Sequence, residues 1–531
     1  MAGELRKDAA RWQGYQEKAE TALKNPGAYF SQKVLSSIGK TEMDTFYALS
    51  DERRKLFWLL ARMSLTKTQA YGVYYPEARR KKGVFCSDSE ILENPYILYE
   101  KTRREPFETG IPVRKIDMAV CPPEDIRRFS PVQAPSAAES ADDRRRIRAY
   151  LINILEERTL SGHTVYPSDR LIEDINGLPM EPPCRITGDV LNGCAAFLGE
   201  ELKTIECAGG EKAYQLNRLF EMDEMIRSSV RKRLRGARHE IDENWREIID
   251  HAFTGQPQSE RGERARTEKT AILKELAESR LSVLIGGAGT GKTTLLALLC
   301  KSEQIRSGGV LLLAPTGKAR VRLSQAMQAQ GVDSTAKTVA QFLAESRRFD
   351  GYTMEYRLSE EEAQNVLFTV IIDESSMLTE EMFAALLQAL RRNARRIIFV
   401  GDPNQLPPIG AGRPFVDLVR YLNNNVNEFP RVGKGFGELT VTMRQFSEDG
   451  SPRGDTELSR WYADDSGNLD DSIFIRMQEG KTDSHVSFKS WSSPEELEQK
   501  IFESIAEETC MEDVNDIQGF DLSIGGNVES G

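Results

Sequence analysis

The stretch that most limits what this chain can become is "LSVLIGGAGTGKTTLLALLC", Leu281 to Cys300. An apolar run stops at a pair of glycines, a glycine-spaced turn follows, and a second apolar run starts after Lys292. The first run has the length of a buried strand and the second suits a buried helix. Gly286 to Thr293 fits G-x-x-x-x-G-K-[ST] without a mismatch. The segment Gly286, Gly287, Ala288, Gly289, Thr290, Gly291, Lys292, Thr293 and Thr294 thus reads as a cradle for a nucleotide's phosphate chain. Glycines let backbone amides and a helix N-terminus face the anion. Lys292 would reach the terminal phosphates, and Thr293 would offer its hydroxyl to Mg2+.

Further apolar runs, "GVLLLA", "VLFTVII" and "RRIIFV", alternate with helical patterns downstream. Strands alternating with helices predict an α/β fold, a parallel sheet covered by helices on both faces. In "VLFTVIIDESSM" the strand delivers Asp373 and Glu374 to its C-terminal end, where ligands collect in open α/β sheets. Asp373 suits a partner of Mg2+, and Glu374 suits a base that orients or polarises an attacking water. An isolated Asp-Glu pair could equally cap a helix; beside a P-loop the catalytic reading prevails. The strand Arg396–Val400 would lie beside the Asp373 strand in a RecA-like sheet, so that Gln405 of "GDPNQLPPIG" emerges near the γ-phosphate. An amide donates and accepts hydrogen bonds without adding charge, so it can report whether that phosphate is present. Pro407 and Pro408 stiffen the turn behind it.

The chain has 531 residues, room for about three or four domains. Upstream of the P-loop the pattern is mainly helical. "SDERRKLFWLLARM" starts at a plausible cap, Ser50, and puts Leu56, Phe57, Leu59, Leu60 and Met63 on one stripe. Ser87 and Glu90 form a capping box, with a break at Pro95. Residues 1–130 read as a helical accessory domain, and the Pro/Ala/Ser-rich 131–143 as a linker. "DDRRRIRAYLINILEER" and "SGHTVYPSDRLIEDI" then give helix, turn, short strand and helix, the order of a small winged-helix-like unit over 144–215. Residues 216–265 form a basic helical connector.

A net charge of −11 argues against a uniformly basic nucleic-acid coat but leaves room for a local basic channel. "RRKKG" at Arg79–Gly83 and "RSSVRKRLRGARH" at Arg227–His239 are the candidates, each more readily a solvated helix face. The seven cysteines contain no CxxC pair, which suits a reducing cytoplasm. No apolar run approaches the roughly 20 residues of a membrane helix, so no membrane partner is expected.

The ordered set "GGAGTGKTT", "LLLAPTGKAR", "IIDESSM" and "GDPNQLPPIGAGRPF" resembles the superfamily 1 helicases, within them the RecD/TraA-like 5′-to-3′ DNA helicases. "LTVTMRQ" is similar to the family's arginine motif. The resemblance is specific over about Leu281 to Phe415 and weak upstream. It implies an ATP hydrolase with Mg2+ that moves on single-stranded DNA and serves repair or recombination. It assigns Lys292, Glu374, Gln405 and Arg444 to catalysis, with Arg444 completing the γ-phosphate shell. It assigns Pro315, Thr316 and Thr338 to the sugar-phosphate backbone, contacts that hold DNA without reading its sequence.

Three departures matter. Where the family has a glutamine for adenine recognition, this chain has Lys269, which leaves base choice open. The aromatic residue before the motif arginine is Met443. The remainder after Arg444 is too short for a second sheet, so 266–430 reads as the first motor domain and 431–531 as the incomplete start of a second. A partner chain or a further C-terminal motor domain would complete it, and these residues alone are expected to hydrolyse ATP weakly. The alternative from another class is a nucleotide-dependent switch or scaffold that binds DNA or a partner and never translocates.

Overall fold

A computed structural model of the chain describes residues 21–29 and 40–441 apart from 23, 107, 255–258, 288, 333–335, 360–366 and 393, with 458, 474–475, 486 and 489–509. It forms two compact units, 1–441 and 442–531. In the second, the helix Pro494–Thr509 is held at its start by Glu496, which accepts from Ser492 and Lys500.

The N-terminal part of the first unit is helical. Ser50 caps the helix Asp51–Arg62 by accepting from the amide of Arg53. Leu56, Leu59, Leu60 and Met63 face the core as their spacing requires. Trp58 is buried too, while Phe57 stays half-buried in an aromatic cluster with Phe46, Trp58 and Tyr74. The Ser87–Glu90 capping box forms, and its helix ends at Glu93 before Pro95. Next come the helix Arg144–Leu160, strand β1 (Tyr166–Pro167), helices Ser168–Asn176 and Gly188–Leu198, and strands β2 (Leu202–Glu206) and β3 (Lys212–Leu216). The strands pair antiparallel in the order β1-β3-β2.

One apolar core runs continuously from Leu56 to Met222 through both helical parts. At its centre the fully buried Arg146 forks onto Asp117 at 2.8 and 2.9 Å, and Asp117 also accepts from the hydroxyls of Tyr96 and Tyr150. Burying this charge is tolerable only because every carboxylate oxygen has a donor.

The long helix Asn217–Arg235 leads into a seven-stranded sheet. Its strands are β4 (Leu281–Gly286), β5 (Val310–Ala314), β6 (Ala336–Thr338), β9 (Leu367–Ile372), β10 (Ala394–Gly401), β11 (Val432–Gly433) and β12 (Phe436–Leu439). Strands β7 (Phe349–Asp350) and β8 (Glu355–Tyr356) form a separate hairpin. The sheet order is β11-β12-β4-β10-β9-β5-β6, parallel throughout except for β11. Successive side chains alternate between the faces, as pleating dictates. Val283, Leu313, Val370, Ile397 and Phe399 pack under the helices Asn217–Arg235, Glu380–Ala389 and Pro414–Leu422. Leu284, Leu312, Ile371, Ile398 and Val400 pack under Glu260–Glu278, Lys292–Lys301 and Gly317–Ala329. The expected parallel α/β sheet, covered on both faces and preceded by a mainly helical region, is present.

Part of each basic run is structural, while Arg80, Lys81, Arg231, Lys232 and Arg235 stay exposed. Arg79 is buried against Asp88, Arg233 donates to the carbonyls of Leu390 and Ala394, and Arg238 pairs with Glu275 and Glu278. Among the described residues no helix is long and apolar enough to cross a membrane.

Candidate functional site

The P-loop joins β4 to the helix Lys292–Lys301. Gly289 and Gly291 take φ of +75° and +91°, values a side chain would resist. Gly286 admits no Cβ, which would lie 2.8 Å from Thr290 Oγ1 and 3.1 Å from the Leu439 carbonyl. Thr290 closes the loop by donating to the Gly287 carbonyl at 2.9 Å. The Lys292 ammonium donates to the carbonyls of Gly286 and Gly287, so it lies across the mouth of the loop. Thr293 and Thr294 begin the helix, half-buried. Ala288 lies outside the described residues.

Strand register sets the other groups. Strand β10 runs between β4 and β9, with Gly401 opposite Ile285 and Phe399 opposite Ile372. Gly286, Asp373 and the turn carrying Gln405 therefore leave the same C-terminal edge of the sheet. Burial pushes the Asp373 carboxyl up to about 6; the Glu374 amide and the Lys292 ammonium pull it down, and the Glu374 charge adds to the rise. Glu374 sits at φ +51°, a left-handed conformation that costs a non-glycine residue about 1–3 kcal/mol. This backbone turns the chain sharply away from β9 into the short turn Ser375–Met377.

Gln405 is exposed, on a turn closed by its amide to the Asp402 carbonyl at 3.2 Å. The next apolar residues, Leu406 and Ile409, are exposed too, Ile409 at 97%. Pro315 follows β5, and Ala314 stands opposite Thr338 on β6, so Pro315, Thr316 and Thr338 gather at one edge. Thr316 and Thr338 both cap helices: their hydroxyl oxygens accept from the amides of Ala319 and Gln341. Each cap occupies the oxygen and leaves the hydroxyl proton free to donate. Arg444 lies outside the described residues.

The residues present fit a nucleotide with a divalent cation. Among the described residues Asp373 has one hydrogen-bond donor, the Glu374 amide, and its remaining capacity suits a cation. Ser376, which sequence reasoning passed over inside "DESSM", keeps a buried hydroxyl without a partner among the described residues. A serine next to an acidic strand end carries little signal by itself; only its burial singles it out.

Residues 265–444 match the family model of the AAA domain. An uncharacterized protein of Methanocaldococcus jannaschii is 26% identical over 448 residues, 77% of this chain and 36% of that protein. The RecBCD enzyme subunit RecD of Mycolicibacterium smegmatis is 33% identical over 207 residues, 34% of this chain and 36% of the subunit. The ATP-dependent RecD2 DNA helicase of Deinococcus radiodurans is 35% identical over 153 residues, 29% of this chain and 20% of the helicase. The chain thus spans between 20% and 36% of the length of these relatives. Over its P-loop domain the chain is similar to the RecD and TraA proteins, the RecD/TraA-like helicases of superfamily 1.

Proposed function

We propose that the P-loop domain is a motor domain of an ATP-driven translocase on single-stranded DNA, with only weak ATP turnover expected of these residues alone. What supports this is the convergence of Lys292, Asp373 and the Gln405 turn on one sheet edge, with Pro315, Thr316 and Thr338 at the ends of the strands beside it. ATP would lie with its phosphates in the Gly286–Thr294 loop, the Lys292 ammonium moving from the loop carbonyls onto the β- and γ-oxygens. Thr293 and Asp373 would hold Mg2+, which supplies charge neutralisation at those oxygens. Glu374 would accept a hydrogen bond from the attacking water and orient it in line with the γ-phosphorus. Arg444, assigned from the resemblance, would stabilise charge developing on the phosphoryl oxygens.

Gln405 would hydrogen-bond the γ-phosphate and lose that partner on hydrolysis, shifting the 402–410 turn. Thr316 and Thr338 would donate their free hydroxyl protons to DNA phosphates while still capping their helices. The test is ATPase activity with and without single-stranded DNA, on the chain and on Glu374→Gln. DNA-stimulated turnover that vanishes in the variant supports the motor. Nucleotide binding with no DNA stimulation overturns it and leaves the nucleotide-dependent switch.

A further inference from the structure

The helices Lys67–Tyr74 and Pro76–Lys81 lie in the accessory region and meet at Tyr75. Tyr71 and Tyr75 stand four residues apart, hence on one helix face. Their ring centres are 4.7 Å apart, with the planes inclined by 42°. Tyr71 is 59% exposed and Tyr75 50%, and neither belongs to the core that begins at Leu56. Among the described residues no cation covers either ring; Arg53 lies over Tyr74 instead, 3.9 Å from its centre. Bare rings left in water contribute little to folding, and a paired set marks a surface that meets a partner.

The same surface is basic. Lys82 stretches across Gly72, where a Cβ would meet its Nζ at 2.6 Å and its Cε at 2.8 Å. Gly72 adjoins Tyr71 and lies one helical turn before Tyr75, so the Lys82 ammonium stands beside the ring pair. Lys67, one turn before Tyr71 on the same face, is exposed, as are Arg80 and Lys81 on the next helix. Among the described residues none of these cations pairs with a carboxylate, and Glu77 is the one carboxylate on the two helices. Asp88 is already held by Arg53 and Arg79, at 2.7 and 2.8 Å. The face is therefore locally positive on a chain whose net charge is −11. It is also braced: the buried Arg79 donates to the Val73 carbonyl at 3.1 Å, and Arg53 donates to the Tyr74 carbonyl at 2.8 Å. A frame fixed beforehand lowers the ordering cost of binding.

Flat aromatic faces flanked by cations suit single-stranded nucleic acid, whose bases stack on rings while its phosphates meet the charges. A duplex hides its base faces and would use the cations alone. A membrane surface would call for aliphatic side chains, whereas Tyr71 and Tyr75 are the exposed large apolar residues of these two helices. We infer that this face is a second hold on single-stranded DNA, additional to Pro315, Thr316 and Thr338, with a base stacked on Tyr71 and Tyr75 and phosphates on Lys67, Arg80, Lys81 and Lys82. The choice of DNA rests on the reading of the P-loop domain as a motor on single strands.

The test is fluorescence anisotropy of a labelled oligothymidylate with the full chain, with the double variant Tyr71→Ala, Tyr75→Ala and with Lys82→Gln. Expected is about tenfold weaker binding by the double variant, from the loss of base stacking. Lys82→Gln should flatten the slope of log affinity against log salt by about 0.7, the loss of one phosphate contact on a single strand. Both variants should melt like the parent and keep its turnover without DNA, because the rings and the ammonium lie at the surface. Equal affinity of the parent and the double variant overturns the inference and leaves the motor reading standing. So does a double variant that loses single-stranded and duplex DNA equally, or one that loses phosphatidylserine vesicles and keeps the oligonucleotide. A parent that binds no single strand overturns both readings.

Discussion

The backbone amide of Gly412 donates to the carbonyl of Gly162 at 3.1 Å, tying the segment that carries Gln405 to the turn before β1. Gly412 has φ +78°, and a Cβ there would strike the Glu380 carboxylate and stand 3.2 Å from Glu380 Cβ and Thr164 Cγ2. Gly412→Ala should therefore cost about 2–3 kcal/mol, left-handed strain and steric clash together. The urea midpoint of unfolding checks this; an unchanged midpoint would mean the contact is not made.

Glu380, which lies against Gly412, carries the next prediction. Its carboxyl is pushed from 4.5 up to about 7, first by burial and then by Asp223 and Asp417, with Arg227 opposing. The folded state therefore binds this proton more tightly than the unfolded chain. Stability from this group is greatest below the unfolded pKa and is lost as pH rises from 4.5 through about 7. Glu380→Gln should raise stability at pH 8 by up to about 3 kcal/mol and change it little at acid pH. Thermal melts of both proteins across that range decide it.

Thr338 separates two roles that coincide in one hydroxyl. Its oxygen accepts from the Gln341 amide, and Gln341 reaches back to the Thr338 amide. Aspartate is as good a cap as threonine but repels phosphate. Thr338→Asp should leave the melting temperature nearly unchanged and weaken single-stranded DNA binding about tenfold or more at low salt. A variant that melts normally and binds normally would remove Thr338 from the DNA contacts.

The P-loop and the acidic strand end should part in their effects. Lys292→Met should abolish nucleotide-dependent thermal stabilisation, because the phosphates lose their charged donor. Glu374→Gln should keep that stabilisation and lose turnover by about 10²–10⁴-fold, the usual contribution of a general base. Equal loss of binding in both variants would deny Glu374 a role confined to the water.

The accessory core offers a check on the buried ion pair. Asp117→Asn leaves Arg146 charged and fully buried and should cost about 3–5 kcal/mol. Adding Arg146→Met should recover much of that loss. Chemical denaturation of the single and double variants measures the coupling.

Much of the motor was legible in the residues. Glycines at 286, 289 and 291 announce a backbone wrapped on an anion, and Val370, Ile371 and Ile372 announce a strand buried on both faces. Such local patterns need only their neighbours in sequence. The basic run Arg227–His239 could be counted from the sequence but not assigned, because its use depends on distant acceptors such as the Leu390 carbonyl and Glu275. Lys269 shows the same limit: its identity is plain in the chain, and its burial beside Gly291 and Phe253 is not.

The sequence by itself determined the phosphate cradle, the acidic strand end and the α/β class, because backbone freedom at glycine and two-residue pleating are local properties. Only the tertiary structure decided that Gly286, Asp373 and Gln405 share one edge, since strand order and register are set by packing across the sheet. It also decided that Glu380 and Lys269 are held out of water, since burial depends on what long-range folding lays over a side chain.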